Sequence, residues 1–121
     1  MFELKICDTF AASHQLKGYR GKCESLHGHN WKVEVSVKGS RLNDIGLLVD
    51  FKELKKILAS VIEKLDHKHL NDIKPFADVN PSSENLSEYI YKEFKTLLPS
   101  GVDIASVTVW ESDTAGATFT G

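Results

Sequence analysis

Apolar and polar residues alternate at period two from the start of the chain. Phe2, Leu4, Ile6, Phe10 and Ala12 hold the even positions, Asp8 is the one polar intrusion, and His14 continues their parity. The pattern predicts a half-buried strand over residues 2–14. A second alternation sets Trp31, Val33, Val35 and Val37 against Asn30, Lys32, Glu34, Ser36 and Lys38. It predicts a strand over residues 29–38, ended by Gly39. Residues two apart in a strand share a face, so His27 and His29 belong to the apolar side with Trp31 and the valines. Antiparallel pairing with Ala12 opposite His29 places Glu3 opposite Lys38, a favourable cross-strand pair. The same register carries His14 to the rim held by His27 and His29.

Between the strands, residues 15–26 form a loop containing Gly18, Gly21 and three cations, Lys17, Arg20 and Lys22. A loop of this length inside a compact domain is often functional, and this one brings Cys23 to the histidine rim. After a connection through Asn43, Asp44 and Gly46, Asp50-Phe51-Lys52-Glu53 resembles a capping box opening a helix. Phe51, Leu54, Ile57 or Leu58, Val61 and Leu65 recur at helical spacing and form its buried face. Asp66-His67-Lys68-His69 closes it. Because an Asp at a helix C-terminus opposes the macrodipole, Asp66 must gain something elsewhere, such as orienting His67.

Pro75 and Pro81 bracket a second loop, and Ser82 or Ser83 can cap a second helix. Leu86, Tyr89 or Ile90, Phe94 and Leu97 are its apolar positions, with Pro99 as the stop. A third strand runs from Val102 to Glu111, where Glu111 extends the row Ala105, Val107, Val109. A short fourth strand, residues 115–120, completes the order ββααββ. The expected architecture is α+β: one domain over residues 1–121, an antiparallel four-stranded sheet with both helices on one face. Its polar second face and two unpaired edges suit subunits joining edge to edge around a wet interior. A monomer with a solvated sheet face has the same periodicity.

Composition narrows the function classes. The 121 residues are 41% hydrophobic and 26% charged, which suits a folded domain with a real core. A formal net charge of −2 gives no reason to expect nucleic acid or an anionic membrane as partner. No apolar run reaches the length of a membrane span, and the opening alternation is unlike a signal peptide. A cytoplasmic address is therefore expected, with Cys7 and Cys23 as free thiols.

Three imidazoles at one rim of an apolar face need partners for their nitrogens, and a metal is the usual one. Three histidine ligands with a fourth position open is a catalytic zinc arrangement.

With these residues assembled, the chain resembles the 6-pyruvoyl-tetrahydropterin synthase superfamily, and within it the 6-carboxytetrahydropterin synthase branch of queuosine and 7-deazapurine biosynthesis. Phe10-Ala11-Ala12-Ser13-His14 is similar to the first ligand motif, and Cys23-x-x-x-His27-Gly28-His29 to the cysteine and the other two ligands. Leu65-Asp66-His67-Lys68-His69-Leu70, Pro81-Ser82-Ser83-Glu84-Asn85 and Val109-Trp110-Glu111 resemble three further family segments. Three residues between Cys23 and His27 are typical of the carboxy branch, whereas pyruvoyl-forming members usually have a longer gap.

The resemblance implies a tunnelling fold whose subunits join into a β-barrel, commonly a homohexamer of two stacked trimers with sites at subunit interfaces. It implies 7,8-dihydroneopterin triphosphate as substrate and Zn2+ held by His14, His27 and His29. Cys23 resembles the general base, with Asp66 and His67 completing the catalytic group. Glu111 would anchor the pterin edge, with Ser82 and Ser83 lining the pocket, and Lys17, Arg20 and Lys22 are candidates for the triphosphate. His69 is expected to be structural or exposed, and Cys7, on the polar face, needs no role. A pyruvoyl-forming or side-chain-cleaving pterin synthase is the first competing reading. A zinc-hydroxide hydrolase using the same ligands and a non-catalytic zinc-binding module are the others.

Overall fold

A computed structural model describes residues 1–21 and 24–121 of the chain. Lys22 and Cys23 lie outside the described residues. The elements are strand β1 (Phe2–His14), strand β2 (His27–Gly39), helix α1 (Phe51–Ile62), a two-residue strand β3 (Lys68–His69), helix α2 (Ser83–Leu97), strand β4 (Asp103–Ser112) and strand β5 (Ala115–Phe119). They form one sheet in the order β3-β1-β2-β4-β5. β1 and β2 pair antiparallel in the register read from the alternation, with Ala12 opposite His29 and Glu3 opposite Lys38. The sheet has five strands rather than four: Lys68 and His69, expected at a helix end, pair parallel with Ala12 and Ser13. Two residues carry no detectable period, so alternation could not mark them.

α1 begins where Asp50 accepts a hydrogen bond from the Lys52 N–H at 2.9 Å. It buries Leu54, Leu58, Val61 and Ile62 and stops at Ile62, short of the expected end. Leu65 is fully buried just beyond it. His67 then takes φ 57°, a left-handed conformation uncommon outside glycine, and turns the chain against β1. Ser82 caps α2 by accepting from the Asn85 N–H at 3.2 Å, and Leu86, Ile90 and Phe94 form its buried stripe. Phe51 and Leu97, expected in these stripes, are about half exposed at the helix ends.

Both helices cover one face, α1 over β1 and α2 over β4 and β5. Ile6, Phe10, Trp31, Val33, Val35, Val107 and Val109 fill the interface. β4 departs from its expected alternation twice. Ser36 pairs with Ser106 but Val37 with Ile104, so Ala105 is an extra, bulged residue, and Ile104 takes its place in the apolar row. Trp110 pairs with Gly116 and Ser112 with Ala115, which leaves Glu111 as the extra residue of a second bulge. Bulges re-aim side chains, and this one lies at the histidine rim. Ser36, expected on the polar face, is buried with its hydroxyl unpartnered. No helix is long and apolar enough to cross a membrane among the described residues.

Candidate active site

β1 delivers His14 and β2 delivers His27 and His29 to one end of the hairpin, where the register sets His14 opposite His27. The ring centroids lie 4.6 Å (His14–His27), 5.1 Å (His14–His29) and 4.6 Å (His27–His29) apart. Trp31, with no exposed surface, forms the floor. Its ring meets His14 and His29 edge-on at 4.9 and 5.2 Å, and its Nε1–H donates to the Ala12 carbonyl at 3.2 Å.

The tautomers follow from the hydrogen bonds. His14 Nδ1 lies 2.8 Å from the Pro81 carbonyl, and His27 Nδ1 lies 2.6 Å from the Ser25 carbonyl. A carbonyl can only accept, so each Nδ1 carries a proton, and a neutral ring then offers Nε2 as a lone pair. Those two Nε2 atoms face each other at 3.0 Å. His29 Nε2 approaches Glu111 Oε1 to 3.0 Å without hydrogen-bond alignment, so it is buried and unpartnered. One ligand atom from each of His14, His27, His29 and Glu111 falls within 4.8 Å of the others. Converging lone pairs with no shared proton are what a cation relieves, so this donor set fits a metal. Burial above all holds the His29 imidazole below its ordinary pKa; Glu111 opposes, and His14 and His27 add to the depression. The neutral ring that results is the form that binds metal.

Asp66 and His67 sit at the β3 side of the same hairpin. Asp66 Oδ1 accepts the Ala11 N–H at 2.9 Å, and the His67 N–H donates to the Ala11 carbonyl at 2.6 Å. The other carboxylate oxygen lies 3.0 Å from His67 Nδ1. The Ala11 N–H first, and His67 with it, hold the Asp66 carboxyl below the usual carboxylate range. The side chain of His67 is 82% exposed and lines an open groove of about 520 Å³ with Ser13, Gly28, His29, Asn30 and His69.

The remaining expected residues divide. Ser82 spends its hydroxyl on the helix cap, but its neighbour Pro81 supplies the carbonyl that fixes His14. Ser83 is half-buried in the first turn of α2. Arg20 is exposed at φ 50°, its guanidinium 5.6 Å from the Tyr19 ring centre, and Lys17 is exposed beside it in the chain. Lys22 and Cys23, the expected base, lie outside the described residues. His69, expected to be structural or exposed, is partly buried with Nδ1 3.0 Å from the Ser13 hydroxyl, and Cys7 is an exposed free thiol.

The sequence reading missed Glu24. Its Oε1 is buried without a hydrogen-bond partner and lies 3.7 Å from His27 Nε2. The signal was available: a carboxylate three residues before a candidate ligand, beside a candidate base. Also missed were Asn71 and Asn80, whose side chains grip the loop after His14. A lone asparagine gives no pattern to read.

The family model for 6-pyruvoyl tetrahydropterin synthase matches residues 3–121. The chain belongs to that family. Relatives in it carry different names. The chain is 40% identical over 105 residues to a 6-pyruvoyl tetrahydrobiopterin synthase of Dictyostelium discoideum, covering 77% of this chain and 76% of that protein. It is 36% identical over 108 residues to an Archaeoglobus fulgidus protein provisionally named 6-carboxy-5,6,7,8-tetrahydropterin synthase, covering 89% and 86%. To a dihydroneopterin monophosphate aldolase of Pyrococcus furiosus it is 34% identical over 108 residues, covering 89% and 88%. The fold matches the 6-pyruvoyl tetrahydropterin synthase structure of Caenorhabditis elegans, with a TM-score of 0.84, 24% identity, and 99% and 95% of the two chains covered. The tunnelling fold and membership of a pterin-synthase family are thus shared by this chain, and the activities for which its relatives are named diverge.

Proposed function

We propose that this chain is a zinc-dependent 6-carboxy-5,6,7,8-tetrahydropterin synthase, which converts 7,8-dihydroneopterin triphosphate and water to the 6-carboxy product, acetaldehyde and triphosphate. The observation that carries the reading is the cluster of His14, His27 and His29, two of them with tautomers fixed by main-chain carbonyls so that Nε2 is offered. The three-residue spacing from Cys23 to His27 supports the carboxy branch.

The three imidazoles would hold the metal, which when bound supplies Lewis-acid stabilisation of negative charge on side-chain oxygens. The rest belongs to the protein. Cys23 takes a carbon-bound proton, a role it can fill as thiolate. Asp66 holds the Nδ1–H of His67, which leaves Nε2 to accept or return a proton on the other side of the carbon skeleton. Glu111, re-aimed by its bulge, accepts hydrogen bonds from the amide and amino groups of the pterin edge, and Ser82 and Ser83 border that pocket. Its 3.0 Å approach to His29 supports a ring lying directly beside the imidazoles. Lys17, Arg20 and Lys22 take the triphosphate.

A homo-oligomer, in the hexameric arrangement of the tunnelling fold, completes this picture. β3 pairs with β1 only at Ala12 and Ser13, which leaves the β1 edge from Phe2 to Phe10 without a partner strand among the described residues. The exposed His67 would be covered at such an interface. Product identification by mass after incubation with 7,8-dihydroneopterin triphosphate tests the proposal. A 6-carboxy pterin with acetaldehyde supports it; a 6-pyruvoyl product rejects it.

Glu24 favours a second reading, cleavage of the pterin side chain in the class named for the Pyrococcus furiosus relative. A buried, unpartnered carboxylate oxygen beside His27 can move the proton of a side-chain hydroxyl during carbon–carbon cleavage. Under this reading the product is the pterin with its side chain cleaved, and Glu24→Gln should abolish its formation.

A further inference from the structure

Two carboxamides, Asn71 and Asn80, have no place in the proposed chemistry, yet both grip the segment that follows His14. The buried Asn71 accepts the Gln15 N–H at 2.9 Å through Oδ1 and donates through Nδ2 to the Gln15 carbonyl at 2.8 Å. Asn80 repeats the pattern on Lys17, accepting the N–H at 2.8 Å and donating to the carbonyl at 2.8 Å. A carboxamide that takes both main-chain groups of one residue replaces a strand neighbour, and it needs its oxygen and its nitrogen at once.

Leu16, between the two gripped residues, accepts the Glu24 N–H at 2.8 Å. The loop it anchors contains Gly18 and Gly21 at φ 79°, which glycine adopts without steric cost, and Arg20 at φ 50°, which its surroundings must hold. The anchor is itself fixed. The Asn80 carbonyl accepts from Asn85 Nδ2 at 2.8 Å, the Pro81 carbonyl orients His14, and Ser82 caps α2. Three consecutive residues thus tie the strand end, the loop and the helix together.

We infer that Asn71 and Asn80 are positioning residues, which set the loop between His14 and His27 and, through Leu16, hold the Glu24 carboxylate against the imidazole cluster. The kinetic side of this inference rests on the proposed pterin reaction; the structural side does not.

Asn80→Ala removes both bonds to Lys17, and Asn80→Asp keeps the acceptor while losing the donor. Both are compared with wild type as zinc-loaded, full-length protein. Trypsin cleavage after the exposed Lys17 and Arg20 reports loop release, cleavage at other sites reports global opening, and zinc content reports the metal site. kcat and KM with 7,8-dihydroneopterin triphosphate report positioning. Loss of two neutral hydrogen bonds raises local opening by about ten-fold or more. In Asn80→Ala, cleavage after Lys17 and Arg20 should rise by at least that factor, with other sites and zinc content unchanged. kcat should fall on the order of ten-fold and KM should rise, because the freed loop carries Lys17 and Arg20 of the proposed triphosphate site, and Asn80→Asp should fall between.

Unchanged cleavage at Lys17 and Arg20, an equal rise at all sites, or loop release with kcat intact would each overturn the inference. A wild-type protein that makes no pterin product, alongside an Asn80→Ala protein that releases the loop, would refute the pterin reading and leave the clamp standing.

Discussion

Trp31→Phe probes the wall that supports the histidine cluster without touching a ligand. The indole has no exposed surface, stacks on Phe10 with ring centres 6.0 Å apart, and donates to the Ala12 carbonyl at 3.2 Å. Phenylalanine keeps one ring and loses that hydrogen bond, at about 1 kcal/mol. It also leaves about 40 Å³ unfilled, which costs ~1 kcal/mol as cavity, with lost apolar transfer adding about 1 kcal/mol more. The expected loss is therefore roughly 2–4 kcal/mol, read from urea unfolding of metal-free protein at fixed protomer concentration. His14 and His29 also lose the edge contacts at 4.9 and 5.2 Å that fix their ring planes. Zinc affinity should fall on the order of ten-fold, as supporting contacts around ligands typically affect it. A stability loss below about 1 kcal/mol, or unchanged zinc affinity, would refute the claim that Trp31 organises the site.

Asp66→Asn should retain zinc and oligomeric state but lower kcat by about a hundred-fold or more, because an amide can present its nitrogen to His67 Nδ1 and force the other tautomer; steady-state kinetics on zinc-quantified samples check this. The same variant tests an acid-side effect. The folded-state pKa of Asp66 is depressed, so its contribution to stability is present above its unfolded value of 3.8 and is lost as pH falls through the lower folded value. Wild type should lose stability more steeply than Asp66→Asn below about pH 4 in acid unfolding. Gly116→Ala puts a Cβ 2.7 Å from Trp110 Cδ2 and should destabilise by about 1–3 kcal/mol as the ring shifts, measured by thermal or urea unfolding.

Much of the fold was legible because two physical patterns were strong. Alternation over β1 and β2 marked the strands and the parity of their pairing, since a one-residue slip would turn every apolar side chain to the other face, and the Glu3–Lys38 pair pointed to the register observed. The histidines were legible for the same reason: they continue apolar rows. What the alternation could not show was local. Ala105 and Glu111 are bulged residues, and a bulge shifts parity without changing residue type. The β3 strand is two residues long and follows His67 in a left-handed φ, which histidine's enrichment there is too weak to foretell at one position. Asn71, Asn80 and the Pro81 carbonyl act through main-chain hydrogen bonds between segments far apart in sequence. Glu24 was signalled by its place beside Cys23 and three residues before His27, but the fold was needed to show its carboxylate turned toward that ring.

The central claim is that the three imidazoles hold one metal on which turnover depends. Elemental analysis and product mass on the same sample, before and after chelation and zinc replacement, test it directly. The account predicts one zinc per chain, 6-carboxytetrahydropterin and acetaldehyde from the loaded protein, none after chelation, and recovery on replacement. Full turnover by metal-free protein, or by a His27→Ala variant lacking zinc, would contradict it.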